Sequence, residues 1–161
     1  MCIRDRNINN YEHEQAKNIL EVNLGGFVNF IVTILPYLKA RKQGHIVCVG
    51  SIAGYFGMAN NMTYGASKAG MINLTESLHL ELKKLGVKVQ LVNPGFVKTR
   101  LTDQNNFKMP FLISPQKAAE IIAKDMSKNK FEIHFPWQMS WSFKVIRKLP
   151  SRIKLWLLGK I

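Results

Sequence analysis

The chain has 161 residues, enough for one ordinary domain. Hydrophobic residues make up 47% and charged residues 20% of it, a composition that excludes a disordered tail. The net charge of +13 fits a nucleic acid, an anionic membrane or a phosphate-rich small molecule as partner, and it fits scattered solubilising lysines equally well.

Cysteine usage and hydropathy narrow the cellular context. Cys48 lies in an apolar strand pattern and Cys2 at the N-terminus, so no disulfide framework is indicated, which fits a reducing compartment. The longest apolar run, 25–38, is interrupted by polar residues, and we expect no membrane-spanning segment. Because no secretory signal is visible either, we expect a cytoplasmic protein.

The two ends of the chain differ in character from its middle. Residues 1–6 match the translation of a sequencing-library adapter, and we interpret them as an artefact. Residues 7–136 would then be the C-terminal part of a longer domain. Residues 137–161 are rich in aromatic and basic residues and form a basic amphipathic C-terminal extension.

Hydrophobic periodicity predicts the first elements in chain order. Apolar residues at three- and four-residue steps predict a helix over 11–42, which Gly44 ends. The apolar run 45–50 predicts a strand buried on both faces, as in a parallel sheet. After a Gly-rich loop we expect a second helix over 62–84 and a second buried strand over 87–92.

The remaining elements complete an alternating pattern. Ser114 as N-cap and Pro115 at the first position predict a third helix that ends near residue 127. Residues 131–135 predict a last strand. This alternation predicts an α/β fold, a partial Rossmann-like (doubly wound) parallel sheet of about three strands with flanking helices.

The extension offers two interpretations. Ser151 could cap a short helix that ends at Leu158. The mixture of aromatic and cationic residues favours a membrane-surface module, as in interfacial helices. The alternative is a helix that covers the edge of the sheet or lines an oligomer interface.

A hydroxyl, a phenol and an amine form the most informative group of residues. Ser51 follows the first predicted strand, and Tyr64 and Lys68 lie four apart on the second helix, where they are neighbours. An ammonium about 5 Å from a phenolate stabilises it by roughly 3 kcal/mol at an effective dielectric of about 20. We therefore expect Lys68 to lower the pKa of Tyr64. Taken singly, these residues are typical of a turn and an amphipathic helix face.

Four segments occur in order: VNLGG at 22–26, IVCVGSIAG at 46–54, YGASK at 64–68 and NPGFVKT at 93–99. With them, the chain from Tyr11 to Phe135 resembles the short-chain dehydrogenase/reductase family. The resemblance implies an NAD(P)-dependent oxidoreductase that interconverts a carbonyl and an alcohol, with NAD or NADP as cofactor.

The resemblance also implies a role for each matching residue. Tyr64 would be the general acid/base on the substrate oxygen, and Ser51 would hydrogen-bond that oxygen. Lys68 would hold the nicotinamide ribose, and Asn23 would hold a water in a proton relay. Asn23 taken by itself could instead hydrogen-bond backbone groups at a local irregularity of the helix. The implied cofactor ligands are Tyr64, Lys68, the backbone of Pro94, Gly95 and Val97, and the Thr99 hydroxyl.

The sequence departs from the family pattern in three places. It contains no TGxxxGxG segment and no Asn-Asn-Ala-Gly stretch, and Gly50 stands where a serine is common. The glycine-rich segment is the one that approaches the cofactor pyrophosphate, so NAD and NADP are not distinguished. We expect an unpaired apolar edge on the strand 45–50, poor folding of these residues alone and no activity from them.

The sequence gives less specific indications of the substrate, of metal binding and of partners. Apolar residues in the loop before the third helix favour a hydrophobic substrate or a packed lid: Phe107, Met109, Phe111 and Leu112. The four histidines show no metal-ligand spacing and are interpreted as structural or surface residues: His13, His45, His79 and His134. For His134, in the last predicted strand, a position facing a pocket is the alternative. The resemblance implies a homo-oligomer paired through helices 11–42 and 62–84. Nucleic-acid binding is not expected, because no recognition motif accompanies the charge.

Overall fold

The computed structural model describes residues 8–100, 102–104 and 108–160. Within these residues the chain alternates helices and strands, in the order α1 (His13–Leu20), a π-helical segment (Glu21–Gly25), α2 (Gly26–Arg41), β1 (Gly44–Val49), α3 (Met62–Lys83), β2 (Val87–Pro94), α4 (Pro115–Met126), β3 (Glu132–Phe135), α5 (Trp137–Lys148) and α6 (Ser151–Leu158). The adapter-like residues 1–6 lie outside the described part of the chain.

The three strands form one parallel sheet in the order β1-β2-β3, as the alternation predicted. Gly44 is opposite Val87, and Leu91 is opposite Glu132. Within the described residues β1 is therefore an edge strand with β2 as its partner. The prediction of burial on both faces is wrong for β1: Ile46 and Cys48 are buried on one face, but Val49 on the other face is 44% exposed.

Successive strand side chains point to opposite faces of the sheet, and the two faces hold separate apolar clusters. The larger cluster packs β1 and β2 against α2 and α3, with buried Ile31, Ile72, Leu78 and Leu82 among its members. The smaller cluster packs Val92 and Ile133 against α4. The central strand β2 is thus buried on both faces, as parallel sheets favour, whereas β1 is fully covered on one face only.

One continuous helix, 13–41, is formed by α1, the π-helical segment and α2. The prediction that Gly44 ends this helix is wrong. The helix ends at Lys42, whose left-handed backbone (φ 49°) lets its N–H donate to the Leu38 carbonyl, and Gly44 begins β1. Gly86 has φ 72°, and a Cβ there would lie 2.9 Å from the Lys42 carbonyl oxygen, so the turn into β2 requires glycine.

The 13–41 helix also corrects the expectation about membrane-spanning length. Among the described helices it is the one long and apolar enough to cross a bilayer, judged by length and composition alone, a test that core helices and signal sequences also pass. Its inner side packs on α3. Phe30 and Tyr37, seven residues apart, are exposed along one flank and are called the exposed row of this helix. Further apolar residues are exposed elsewhere on its surface: Leu20, Val22, Val28 and Val32.

The helix starts follow their local chemistry. The Ser114 hydroxyl accepts a hydrogen bond from the Lys117 N–H at 3.2 Å, so Ser114 caps α4 as predicted, with Pro115 at the first position. In α6 the prediction is off by one residue: Pro150 is the N-cap and Ser151 is the first helical residue. Helix α5, which the sequence did not predict, follows directly after β3.

Candidate active site

The carboxyl ends of β1 and β2 bring together three of the predicted site residues. Ser51 follows β1, and its hydroxyl accepts a hydrogen bond from the Ala53 N–H at 3.1 Å and lies 3.4 Å from the Pro94 carbonyl at the end of β2. Tyr64, in the first turns of α3, hydrogen-bonds the Ser51 side chain. Because α3 packs on β2, the phenol is held over the strand ends, the place where parallel α/β sheets bind ligands.

Burial dominates the acidity of Tyr64. Desolvation raises the pKa of the phenol above its ordinary value of 10, and the hydrogen bond from Ser51 lowers it only in part. In the chain by itself the net shift is therefore opposite in sign to the one expected from Lys68, and the effect of Lys68 on this pKa stays a prediction. The phenol is neutral at physiological pH, and the hydroxyl carries its proton.

Lys68 is fully buried, at 0% exposure. Its ammonium donates to the Val49 carbonyl at 3.1 Å, contacts the Met71 sulfur at 3.5 Å and lies 5.8 Å from the centre of the Tyr64 ring. Burial lowers the pKa of Lys68 from 10.5 to about 8. The amine is therefore charged at neutral pH and becomes neutral within a range that enzymes use.

Asn23 lies in the π-helical segment, which interrupts the predicted regular helix. Its side chain is 6% exposed and donates to the Ser67 hydroxyl at 3.1 Å, and Ser67 in turn donates to the Tyr64 carbonyl at 2.7 Å. Asn23 is thus connected to the helical turn that carries Tyr64 and Lys68. Single π-helical turns inside α-helices are frequent at functional sites.

The predicted cofactor ligands after β2 lie on a segment tied to β3 and to the start of α4. The Gly95 N–H donates to the Phe135 carbonyl at 2.7 Å, and Val97 forms a parallel bridge with Ile113. The Thr99 hydroxyl accepts a hydrogen bond from the N–H of Thr102 at 3.3 Å. The roles of Pro94, Gly95, Val97 and Thr99 as cofactor ligands stay predictions.

The histidines for which contacts are described bond to neighbouring elements. His45 bonds Gln90 at 2.7 Å, His79 bonds the Val89 carbonyl at 3.1 Å, and His134 bonds the Ser140 hydroxyl at 2.6 Å. Across the described residues no group of three or more His, Cys, Asp or Glu side chains could hold a metal ion. The contact with Ser140 gives His134 a structural partner at the start of α5.

Sequence reasoning missed a polar network beside the site. The Glu132 carboxylate accepts hydrogen bonds from Tyr55 at 2.5 Å and Asn93 at 2.6 Å, and it pairs with Lys144 at 2.6 Å. Burial raises the pKa of Glu132, but the hydrogen bonds from these three partners outweigh burial and hold it below the usual value. The partners come from distant parts of the chain, so no sequence spacing could indicate the network.

The same network explains the departure at Gly50. A Cβ at this position would lie 2.4 Å from the Asn93 Oδ1 atom, which no side chain larger than glycine could tolerate without movement. Asn93 is fully buried and held through Glu132. A serine at position 50 would therefore clash with an amide that cannot easily move.

Comparison with known proteins identifies relatives along most of the chain. The family model described as short chain dehydrogenase matches residues 2–109. An uncharacterized oxidoreductase of Myxococcus xanthus is 38% identical over 138 residues, which are 86% of this chain and 54% of that protein. A 3-oxoacyl-acyl-carrier-protein reductase of Aggregatibacter actinomycetemcomitans is 39% identical over 93 residues, 57% of this chain and 38% of the reductase. The chain thus spans about half the length, or less, of the curated relatives it matches.

Solved structures share the fold. A short chain dehydrogenase of Burkholderia cenocepacia in complex with NADP superposes with a TM-score of 0.77 at 24% identity, over 90% of this chain and 62% of that one. A short-chain dehydrogenase of Sphingobium yanoikuyae in complex with NADPH gives 0.78 at 18% identity, over 98% and 61%. At these identities the likeness establishes a Rossmann-type parallel sheet with flanking helices.

Proposed function

The chain belongs to the short-chain dehydrogenase family, and from this premise we propose that the protein is an NAD(P)-dependent oxidoreductase that interconverts a carbonyl and an alcohol. The observation that supports the proposal is the hydrogen-bonded hydroxyl pair of Ser51 and Tyr64, with the buried Lys68 amine one helical turn further along α3. These groups are the minimum needed to move a proton to or from a substrate oxygen at neutral pH.

Tyr64 would exchange the proton at its phenolic oxygen. Because burial keeps the phenol neutral at physiological pH, it is ready to donate a proton to a carbonyl oxygen in the reductive direction. Ser51, with one donor and two acceptor sites on its hydroxyl, would hold the substrate oxygen beside the phenol. In the oxidative direction Tyr64 would accept the alcohol proton as a phenolate, after its own proton has passed to a relay through Lys68, while Ser51 would hydrogen-bond the substrate oxygen.

Lys68 would support this exchange electrostatically. Its ammonium is charged below a pKa of about 8 and lies in a desolvated environment, where it stabilises negative charge that develops on Tyr64 more strongly than it could in water. Of the three N–H donors of the ammonium, one reaches the Val49 carbonyl. Asn23, joined through Ser67 to the same turn, would hold a water that returns protons to Lys68.

The residues present fit the nicotinamide end of a dinucleotide. The Lys68 ammonium and the Tyr64 hydroxyl are the donors that a ribose diol requires, and they lie on one helix face at the strand ends. Pro94, Gly95, Val97 and Thr99 would line the nicotinamide itself. When bound, this cofactor would supply or accept the hydride. The two neighbours described above were solved with NADP and NADPH, and for this chain we propose NAD or NADP.

We propose a hydrophobic substrate. Phe111 and Leu112 are 51% and 41% exposed, and they come just before Ile113, which pairs with Val97 beside the site. Phe107 lies outside the described residues. The name of one relative, 3-oxoacyl-acyl-carrier-protein reductase, refers to an acyl substrate, and an acyl chain would be hydrophobic.

We further propose that the protein is a homo-oligomer paired through the 13–41 helix and α3. The exposed apolar row on the 13–41 helix supports this, because an isolated helix face with Phe30 at 55% and Tyr37 at 69% exposure gains stability when it is covered. Gel filtration with light scattering would measure the mass. A monomer at all concentrations would refute the oligomer and leave the chemistry untouched.

The 161 residues by themselves should be inactive and bind dinucleotide weakly, since they contain no glycine-rich pyrophosphate segment and, within the described residues, β1 pairs with a strand on one side only. Thermal melting with and without NADP measures this. An absent or small shift is expected. A cooperative transition that cofactor moves upward by several degrees would contradict the proposal.

Activity is best tested in the longest open reading frame that contains these residues, by following reduced cofactor with a panel of hydrophobic ketones. Tyr64→Phe should lower kcat by at least about 100-fold, because it removes the proton donor and keeps the ring. Tyr37→Phe, an exposed tyrosine on the 13–41 helix, is the matched control and should retain full activity. Undiminished turnover in Tyr64→Phe would refute the assignment.

A further inference from the structure

One side of α5 carries an exposed apolar row with no role in the proposed chemistry. Trp137, Trp141 and Val145 follow one another at four-residue steps, so they lie along one face of the helix. They are 67%, 59% and 56% exposed. We call these three residues the outer row of α5.

The opposite side of α5 is already occupied. Met139 and Phe143 pack on the larger apolar cluster, and Phe143 lies 5.0 Å, between ring centres, from Phe56. Ser140 is fully buried, and Lys144 pairs with Glu132 at 2.6 Å. Because these contacts fix the rotation of the helix, the outer row cannot turn into the core.

Helix α6 repeats the pattern with less support from the rest of the fold. None of its residues 151–158 is buried. Ile153, Leu155 and Trp156 are 50%, 65% and 62% exposed, and the Lys160 ammonium lies 3.8 Å from the centre of the Trp156 ring. The protein has three tryptophans, and all of them lie exposed on α5 or α6.

Charge selects among the possible partners of this surface. Six basic residues accompany it: Lys144, Arg147, Lys148, Arg152, Lys154 and Lys160. No aspartate or glutamate follows Glu132 in the sequence, and Lys144 is the basic residue that pairs with it. A second copy docked through this same surface would bring the same six basic residues against them, and this repulsion between like charges opposes self-association at this surface. An anionic surface is the complementary partner.

We propose that the outer row of α5 and the exposed apolar residues of α6 dock on an anionic lipid bilayer. The tryptophans would lie at the headgroup level, where amphipathic aromatic rings are favoured. The lysines and arginines would contact lipid phosphates and carboxylates at the surface. The docking is peripheral, since α5 and α6 have 12 and 8 residues and neither could span a bilayer. The inference does not depend on the oxidoreductase activity.

Vesicle binding of the full chain tests the docking, with intrinsic fluorescence as the readout because every tryptophan is on this surface. Vesicles of phosphatidylcholine and phosphatidylserine in equal amounts should sediment the protein and shift its emission to the blue. Pure phosphatidylcholine should bind it much more weakly. Brominated phosphatidylcholine in the mixed vesicles should quench the emission, and added salt should release the protein.

Two pairs of variants separate this surface from the rest of the molecule. Lys148→Gln/Arg152→Gln/Lys154→Gln should weaken binding at least about tenfold, whereas Lys39→Gln/Arg41→Gln/Lys124→Gln removes the same charge elsewhere and should change it less than about twofold. Trp137→Ser/Trp141→Ser should weaken sedimentation, and Phe30→Ser/Tyr37→Ser, on the exposed row of the 13–41 helix, should leave it unchanged.

Three results would overturn the proposal. The first is that the variants on α5 and α6 bind vesicles as well as the wild type does, or that the Phe30→Ser/Tyr37→Ser control loses more vesicle binding than they do. The second is a concentration-dependent blue shift without lipid, which would make a second copy the occupant. The third is binding of a labelled RNA or DNA by the wild type, with loss of that binding in Lys148→Gln/Arg152→Gln/Lys154→Gln, while vesicles leave the tryptophan emission of the wild type unchanged.

Discussion

The Asn23 side chain donates a hydrogen bond to the Ser67 hydroxyl at 3.1 Å and so joins the π-helical turn of one helix to the helix that carries Tyr64 and Lys68. Both partners are buried, and Ser67 passes the connection on by donating to the Tyr64 carbonyl at 2.7 Å. The position of the phenol therefore depends on a contact between elements that are far apart in sequence. A buried polar pair of this kind is costly to break, because the remaining group loses its partner.

The first prediction concerns the stability of this connection. Asn23→Ala should lower the free energy of unfolding by about 1–3 kcal/mol, because it leaves Ser67 without its donor in a buried position. Urea denaturation followed by far-UV circular dichroism measures the change. Asn29→Ala is the matched control, an exposed asparagine on the same helix, and should change stability by less than about 0.5 kcal/mol. Equal effects of the two substitutions would contradict a role for the Ser67 contact.

Sequence patterns predicted the order of elements because each pattern has a local cause. Helical periodicity and continuous apolar runs predicted the bounds of α3, α4 and all three strands to within one or two residues. The Ser114 cap was predictable for the same reason, since a cap acts on the N–H groups of its own first turn. Likewise the i, i+4 spacing alone placed Lys68 beside Tyr64.

What the sequence could not predict depends on burial and on distant partners. The sign of the Tyr64 pKa shift was predicted from one neighbouring charge, but desolvation by the surrounding fold is the larger effect. Glu132 joins Tyr55, Asn93 and Lys144 only after β2, β3 and α5 have packed. The edge position of β1 was expected, but only from the resemblance to the family; hydropathy does not encode strand order, and it missed the exposure of Val49 on one face of that strand.

The second prediction concerns the acidity of Tyr64. Ser51→Ala should raise the pKa of the phenol further, because the hydrogen bond from Ser51 is what offsets part of the effect of burial. Absorbance at the phenolate band, measured against pH, reports the titration, and subtraction of the Tyr64→Phe chain isolates this residue. Ser142→Ala, which removes an exposed hydroxyl on α5, should leave the titration unchanged. A lower pKa in Ser51→Ala would contradict the assignment.

The third prediction follows from the buried amine of Lys68. Its pKa is about 8 in the folded chain and 10.5 when unfolded, so between these values the unfolded chain binds more protons and stability rises with pH. Relative to Lys68→Met, which has no amine to titrate, the wild type should gain at most about 3 kcal/mol between pH 7 and pH 10.5. Urea denaturation of both chains across this range measures the difference. A constant difference would mean that the folded pKa is not lowered.

The last prediction concerns the Glu132 network, whose pH dependence has the opposite sign. The folded pKa of Glu132 lies below its ordinary value of 4.5, so the stability it contributes is present above that value and is lost as the pH falls through the folded pKa. At pH 7, Glu132→Gln should therefore be destabilised by about 1–3 kcal/mol, because Lys144 loses its charged partner and Tyr55 its strong acceptor.

At low pH this difference should narrow, because protonation makes the wild-type side chain as neutral as the amide. Denaturation of both chains at pH 7 and in the acid range measures it, and Glu120→Gln is the matched control, since its pair with Lys117 is 65% exposed on the glutamate side and should contribute little at either pH. If Glu132→Gln lost as much stability in acid as at pH 7, the loss would come from packing and not from the carboxylate charge. The network would then fix α5 on the sheet by shape alone.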